Sequence, residues 1–349
     1  MTNRLVGIDI GSATIRAVEV DSPSTPHARV VRRREIPLPA GAARQGEVVD
    51  SQAMAEALKR LWATGGFKTK KVVVGMGGQR IMARELTVPR MSMAQIRASL
   101  PYQVQDTLPV PVGDLLLDFY PVADGGGENG RVVRGLLIAA LRESVRAQVE
   151  AVQLAGLEAV IVDVVPFALV RALDTQLKED AVVAIVDVGA NTTSVVVAQH
   201  GVPQFVRVIK AGGQSVTAEL AETLGMQSAD AEQLKMHVDL RTEAEIPQHE
   251  TARTILLEFE RSLLRSLRAT LGYYMSGEEA GPIDRIVLTG GGARLEGFAD
   301  ALAELSGVPV VEGRPFAGVS LARQLRATPR DESDQTYAVA LGLAMASAA

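Results

Sequence analysis

The sequence predicts a mixed α/β protein built as two lobes, and three observations carry that prediction. A motif of Asp, aliphatic residue, Gly, small residue, any residue and Thr occurs twice. It is anchored by Asp9, Gly11 and Thr14, and again by Asp187, Gly189 and Thr192. Each copy follows an apolar run suited to a buried strand and precedes a second β-rich run, so each reads as a β-hairpin. Around the copies, helical periodicity alternates with strand-like runs. The chain has 349 residues, 47% of them hydrophobic, which is enough for more than one core. The wide separation of the copies excludes a short-period solenoid and fits two lobes with a hairpin each.

In chain order, Leu5–Ile10 is a buried strand and Ile15–Val20 its return, joined by the small residues Gly11, Ser12 and Ala13. Val30–Ile36 is a further strand. Ser51–Trp62 has Met54, Ala55, Leu58, Leu61 and Trp62 at helical spacing and stops at Gly65 and Gly66. Val72–Met76 returns to strand. Hairpin strands ahead of the first helix argue for mixed strand directions rather than a plain βαβ series.

From Arg84 to Tyr120 the texture changes. Ile96, Leu100 and Val104 mark a helix that Pro101 is expected to interrupt or bound. Pro109 and Pro111 break the chain again. Leu115–Tyr120 and Arg131–Ala140 are expected strands joined by a glycine-rich hairpin at Gly125–Gly130. We expect residues 83–150 to form an inserted, partner-binding subdomain, because they hold no catalytic-looking cluster. Residues 1–82, 151–184 and 319–349 are assigned to lobe 1, and residues 185–318 to lobe 2.

Glu143–Leu154 is an expected helix, Ala159–Val165 a strand and Pro166–Leu173 a helix, before the second hairpin at Val182–Val197. Beyond Gly212 and Gly213 the chain turns largely helical, at Ser215–Leu224, Ala229–His237 and Thr254–Tyr274. The polar segment Glu243–Glu250 is expected to be a mobile crossing or surface turn. Ile283–Leu288 is a strand leading into Thr289, Gly290, Gly291 and Gly292. Helices at Phe298–Leu305 and Tyr337–Met345 complete the reading.

Composition removes several classes of function. The formal net charge is -5, so bulk attraction to nucleic acid or an anionic membrane is not expected. Arg32, Arg33 and Arg34 read as a solvated strand edge. With no cysteine, disulfides, thiol catalysis and Cys-based metal sites are excluded. His27, His200, His237 and His249 have neither zinc-like grouping nor a recognisable Ser–His–Asp set. No GxxxxGK[ST] loop is present. No signal peptide and no window near the ~20 apolar residues of a membrane span appear. A cytoplasmic protein is expected, and it could still sit at a membrane by holding a membrane-bound partner.

The repeated turns suit a phosphate chain, which needs converging N–H donors and little side-chain bulk. Gly11, Ser12 and Ala13, and Gly189, Ala190 and Asn191, meet that need, and Thr14, Thr192 and Thr193 add hydroxyls. Carboxylates beside polyphosphate repel it unless a cation intervenes, so Asp9 and Asp187 are candidate Mg²⁺ or bound-water ligands. The alternative is two ordinary glycine turns with locally stabilising Asp residues. Gly290, Gly291 and Gly292 let a nucleotide approach backbone, and Arg294 could cover a purine face. A purely structural strand-to-helix turn would look the same. Glu232 and Lys235 share a helical face and could hold ribose hydroxyls or form a surface ion pair. Lys210, as a group near phosphate, and Gly212 and Gly213 are further cofactor-binding candidates.

DIGSAT at Asp9–Thr14, DVGANTT at Asp187–Thr193 and TGGGARLEG at Thr289–Gly297 resemble the loops of the two-lobed actin-like (ribonuclease H-like) ATPase fold shared by actin, Hsp70 and sugar kinases. Within that fold the chain resembles the PilM family of type IV pilus assembly proteins and, next to it, the related cell-division protein FtsA. VPRMSMAQIRASLPYQVQDTLP with LLLDFYPV is similar to the family's small extra subdomain. IVDVVPFALVRAL at Ile161–Leu173 is similar to its connecting segment. The likeness covers nearly the whole chain.

The resemblance implies ATP and Mg²⁺ in an interlobe cleft, with Asp9 and Asp187 on the metal side. Gly11–Thr14 and Gly189–Thr193 then correspond to the phosphate loops, Gly290–Gly292 with Arg294 to the adenosine loop, and Glu232 with Lys235 to a ribose-contacting pair. It also implies a partner, the cytoplasmic N-terminal tail of the inner-membrane protein PilN, docking near the insertion. Unlike FtsA, the chain has no evident amphipathic tail, so recruitment through the partner is expected. Self-association remains open.

A strong ATPase also needs a group that positions water. Glu143 and Glu158 fall in the right broad region, or are simply solvated. The expected role of ATP is therefore a structural switch, with at most weak hydrolysis. An FtsA-like filament scaffold, a small-molecule kinase and a plain interaction module are the competing readings.

Overall fold

The computed structural model describes residues 4–346 apart from 24, 26, 40, 45, 79–80, 128–129, 178–179, 239–245, 278–279 and 327–331. Strands β1 (Arg4–Ile10) and β2 (Thr14–Asp21) form the first hairpin, with Asp9 opposite Arg16 and Ile10 opposite Ile15. β3 (Arg29–Pro37) continues the antiparallel meander. A small ladder, β4 (Ala43–Arg44) with β5 (Glu47–Val48), leads to α1 (Ser51–Gly65). The Asp50 carboxylate accepts from the backbone N–H groups of Gln52 and Ala53, satisfying donors that a helix start leaves open. Gly66, at φ 66°, ends the helix in the left-handed conformation. β6 (Lys71–Met76) then runs parallel to β1.

β7 (Ile81–Pro89), α2 (Met93–Val104), β8 (Leu115–Gly127) and β9 (Gly130–Leu141) build a separate three-stranded sheet of order β7-β9-β8 with one helix. Pro101 lies inside α2 rather than at its boundary. Ile96, Leu100 and Val104 bury at helical spacing among Val88, Phe119, Val133 and Leu137, and that burial outweighs the lost backbone bond.

α3 (Arg142–Leu154), β10 (Glu158–Val164) and α4 (Val165–Ala172) bring the chain back to the first sheet, where β10 pairs parallel with β6. The second sheet repeats the opening plan. β11 (Val182–Val188), β12 (Thr193–Gln199) and β13 (Val202–Ile209) are an antiparallel meander, as β1, β2 and β3 are. Helices α5 (Gly213–Leu224), α6 (Ser228–His237) and α7 (Pro247–Met275) follow. β14 (Arg285–Thr289) pairs parallel with β11 just as β6 does with β1. Pro247–Glu250, expected in a mobile crossing, forms the first turn of α7. Proline suits that position because the first helical N–H groups have no intrahelical acceptor. Residues 243–245 of that expected crossing lie outside the described residues, as do residues 128–129 of the expected hairpin at Gly125–Gly130.

α8 (Phe298–Ser306) and β15 (Val310–Glu312) complete the second sheet, of order β13-β12-β11-β14-β15. β16 (Ser320–Leu321) crosses back to pair with β3, giving the first sheet the order β10-β6-β1-β2-β3-β16. After α9 (Arg323–Arg326), the wholly buried α10 (Ala338–Ala344) wedges between β1 and α4. Glycine permits that approach. A Cβ on Gly7 would sit 2.0 Å from the Ala340 carbonyl oxygen, and one on Gly342 would sit 1.8 Å from that of Ala168. Among the described residues, no helix is long and apolar enough to cross a membrane.

Candidate nucleotide cleft

The two meanders present their first hairpin turns to each other across a cleft of about 1240 Å³. The turns are built alike. The Gly11 N–H donates to the Thr14 carbonyl at 2.9 Å, and the Gly189 N–H donates to the Thr192 carbonyl at 3.0 Å. A Cβ at either glycine would lie 2.9 Å from the same carbonyl oxygen, closer than real Cβ atoms come, so both turns need glycine. Across the cleft the Asn191 side-chain amide donates to the Ser12 hydroxyl, joining the two tips directly.

Asp9 and Asp187 end the first strand of each hairpin and line the floor between the lobes. Both residues keep some accessible surface, yet their carboxyls are surrounded by protein, and the desolvation raises both pKa values. Asp187 is pushed up to about 7, first by burial and then by the Asp9 charge, with Arg16 pulling the other way. Two acids that resist sharing negative charge are an arrangement that a cation relieves. Among the described residues no cluster of three or more His, Cys, Asp or Glu groups exists to hold a metal. A cation here would therefore take one or both of these carboxylates and complete its shell with phosphate oxygens and water, a donor set that fits Mg²⁺.

Arg16 is a cleft residue that the sequence reading missed. It stands opposite Asp9 on β2, and Glu35 stands opposite Arg16 on β3, so all three lie side by side in one row. Arg16 Nε donates to Glu35 Oε2 at 2.5 Å, and all three residues line the cleft. The signal was present in the hairpin register: a two-strand return from a turn at Gly11–Ala13 puts residue 16 across from residue 9.

Gly290, at φ 89°, enters the short helical turn Gly291–Arg294 behind the second hairpin. A Cβ there would meet the Val188 carbonyl oxygen at 2.5 Å and Asp187 Oδ1 at 2.7 Å. The glycine thus lets this third loop close on the acid itself. Gly291, Gly292 and the exposed Arg294 also line the cleft.

On α6, Glu232 and Lys235 face the cleft as one network with α5. Lys235 Nζ donates to Glu232 Oε2 at 2.7 Å, to Thr217 Oγ1 at 2.9 Å and to the Gly213 carbonyl at 3.1 Å. Thr217 Oγ1 donates to the same carboxylate oxygen at 2.5 Å. Met236, Leu256, Phe259, Leu295 and Ala299 add apolar lining to the same cleft. A cleft that offers both charged and apolar groups suits a ligand with a phosphate chain and a flat base.

Several expected residues do not face the cleft. Thr193 is fully buried and donates to the Ala211 carbonyl at 2.8 Å, bracing the hairpin. Lys210 is exposed outside the cleft. Gly212 is buried against the second turn, where a Cβ would lie 2.5 Å from the Ala190 carbonyl oxygen. The N–H groups of Gly213 and Gln214 bond the carbonyls of Gly189 and Ala190. Gly212 and Gly213 thus pin α5 to the turn, and Gly213 also lines the cleft. Glu143 and Glu158 are exposed elsewhere. Gly11, Ser12, Ala13, Thr14, Gly189, Ala190, Asn191 and Thr192 all line the cleft.

Paired hairpin sheets, a shared cleft with two opposed acids and a C-terminal return to the first lobe define an actin-like two-lobed α/β protein. The solved structure of a PilM-PilN type IV pilus biogenesis complex has the same fold. The match has a TM-score of 0.86 and 26% identity, covering 98% of this chain and 97% of that one. MreB5 of Spiroplasma citri bound to ADP matches with a TM-score of 0.57 at 13% identity, over 97% and 94% of the two chains. The cell-division protein FtsA of Bacillus subtilis is 23% identical over 255 residues, 66% of this chain and 57% of that protein. FtsA of Neisseria meningitidis is 26% identical over 195 residues, 51% of this chain and 45% of that protein. The chain thus spans about half the length of these curated relatives. The type IV pilus assembly protein PilM family matches residues 7–348, and the chain belongs to that family.

Proposed function

We propose that this chain is a cytoplasmic, actin-like, ATP- and Mg²⁺-binding component of the type IV pilus inner-membrane assembly platform. It holds the cytoplasmic N-terminal tail of PilN through the inserted subdomain of residues 83–150, and it reaches the membrane through that partner. The observation that carries the nucleotide reading is the pair of matched glycine turns facing each other over Asp9 and Asp187. The partner reading is supported by family membership and by the likeness to a PilM that was solved with PilN.

Gly11–Thr14 and Gly189–Thr192 hold the phosphates, and Asp9 and Asp187 meet Mg²⁺, which screens them from the triphosphate when bound. Arg16 adds the positive charge nearest the acids, and Glu232 with Lys235 addresses the ribose. Gly290–Gly292 and Arg294 border the base. No cleft residue is assigned to activate water, so ATP acts as a switch: it favours the closed lobes only by binding them better than the open ones.

Titration calorimetry with ATP and Mg²⁺, followed by PilN-tail binding in matched nucleotide-free and ATP–Mg²⁺ samples, tests this. Uptake of ATP with unequal tail affinities supports the switch. Equal affinities remove it, and absence of uptake removes the nucleotide reading. The FtsA relatives favour a second reading, a filament scaffold, which requires sedimenting polymers on lipid without PilN.

A further inference from the structure

The two hairpins are alike, but the rows of residues leading away from their acids differ. In lobe 1 the row is Asp9, Arg16 and Glu35, and it stays inside the nucleotide cleft. The equivalent row in lobe 2 is Asp187, Ser194 and Val208, on β11, β12 and β13. That row leaves the cleft. Ser194 is 5% exposed and lines two cavities, the nucleotide cleft and a second one of about 480 Å³, while Val208 lines only the second.

The second cavity lies where three bodies meet. Ala83 and Ile138 come from the inserted sheet, Pro166 and Phe167 from the start of α4, and Val206 and Val208 from β13. Gly77 lines both cavities as well. A Cβ there would lie 3.1 Å from Val165 Cγ2, and Val165 lines the nucleotide cleft. Three residues are thus shared by the two cavities, Ser194 on one lobe and Gly77 and Gly78 on the other. The insert belongs by chain order to lobe 1, yet it touches lobe 2 directly. β7 packs on β13, and the charges of Arg134 and Glu85 act on Tyr274 at the end of α7.

Close-packed interiors transmit displacement because they have no slack. Here the insert meets lobe 2 around an open cavity more than large enough for a side chain, which leaves the lining side chains room for a second arrangement. A rotation of lobe 2 that moves Asp187 also moves Ser194 and Val208, which share its sheet row.

We propose that this junction cavity is a coupling chamber, through which nucleotide enclosed between the lobes reorients the inserted subdomain and so changes the surface offered to the partner tail. The inference rests on the nucleotide reading above and names its regulation. By linkage, whatever fixes the chamber in one arrangement changes nucleotide affinity by the same factor as nucleotide changes the arrangement.

Ala83→Leu and Val208→Leu fill the chamber from opposite walls, and neither position lines the nucleotide cleft. The chain contains no cysteine, so Gln103→Cys on α2 and Glu222→Cys on α5 accept spin labels uniquely. ATP–Mg²⁺ affinity is measured by calorimetry, and the insert-to-lobe 2 distance by pulsed electron resonance, on each variant that shows a cooperative melt. We expect ATP to shift the distance in the parent. Filling the chamber is expected to change ATP affinity about fivefold or more and to flatten that shift. A parent that binds ATP without a distance change overturns the coupling, and so do folded variants with parental affinity; both leave the nucleotide reading intact. A parent that takes up no ATP overturns that reading and the coupling with it.

Discussion

Replacing Asp187 by Asn should stabilise the nucleotide-free protein at high pH while abolishing its response to magnesium. In the fold the carboxyl is pushed to about 7 from an ordinary value of 3.8, by burial and by the Asp9 charge. The folded state therefore holds this proton more tightly than the unfolded chain does. Its contribution is fully present below the unfolded value and falls away as pH rises toward 7, after which it is flat. Three pH units of difference correspond to about 4 kcal/mol as a ceiling, at 1.36 kcal/mol per unit. The partly open floor of the cleft reduces this, to an expected gain of about 1–3 kcal/mol for the variant at pH 8. Other groups titrate over the same range, so the informative quantity is the variant-minus-parent stability from urea unfolding at pH 5, 6, 7 and 8. That difference should grow from pH 5 to pH 7 and level off beyond it. Adding Mg²⁺ and ATP at pH 8 should reverse the order, because only the parent presents both acids. A pH-independent difference would refute the reasoning, since it would mean that Asp187 is no more strained ionised than protonated.

Gly342→Ala should cost about 2 kcal/mol or more, read by thermal unfolding, because its Cβ would lie 1.8 Å from the Ala168 carbonyl oxygen. Gly11→Ala should lower ATP affinity at least tenfold in calorimetry with a smaller loss of stability, since its clash is confined to the turn carbonyl of Thr14. Glu232→Gln leaves Lys235 bonded to Thr217 and Gly213 but removes the carboxylate, so ATP affinity should fall while the melting temperature moves little. Lys210→Ala should leave ATP affinity unchanged, because that side chain is exposed outside the cleft.

Most of the strands and helices were legible because each carries its own local signal. The helical spacing of Met54, Ala55, Leu58 and Leu61, with Gly65 and Gly66 after it, places α1 without any tertiary help. β7 and β13 were harder, since Ile81–Pro89 mixes exposed Arg84 and Glu85 with half-buried residues, and Val202–Ile209 exposes Arg207. Both strands flank the junction cavity, and a strand lining a void lacks the clean alternation of one packed on a core. Pro101 misled because local propensity argues for a break, whereas three buried residues on the same helix argue against one. In the candidate site, glycines and acids announced themselves by spacing. Thr193 did not, because a hydroxyl beside a turn reads the same whether it faces ligand or the Ala211 carbonyl. Arg16 and Glu35 required the register, a property of strand pairs rather than of any one segment.

The repeat itself explains how one cleft can do two jobs. Both lobes use the same turn, closed by the same glycine-to-threonine bond, so either could grip a phosphate chain equally well. What distinguishes them is the residue across from each acid. Lobe 1 places Arg16 there and backs it with Glu35, spending the whole row on charge within the cleft. Lobe 2 places Ser194 there, small and nearly buried, and backs it with Val208 against the cavity shared with the insert. A longer, charged side chain at position 194 would crowd the cleft and place a nearly buried cation between the two cavities. A small hydroxyl residue avoids both. On the proposed reading the asymmetry divides the labour, with one lobe meeting the ligand's charge and the other carrying its presence outward to the inserted subdomain.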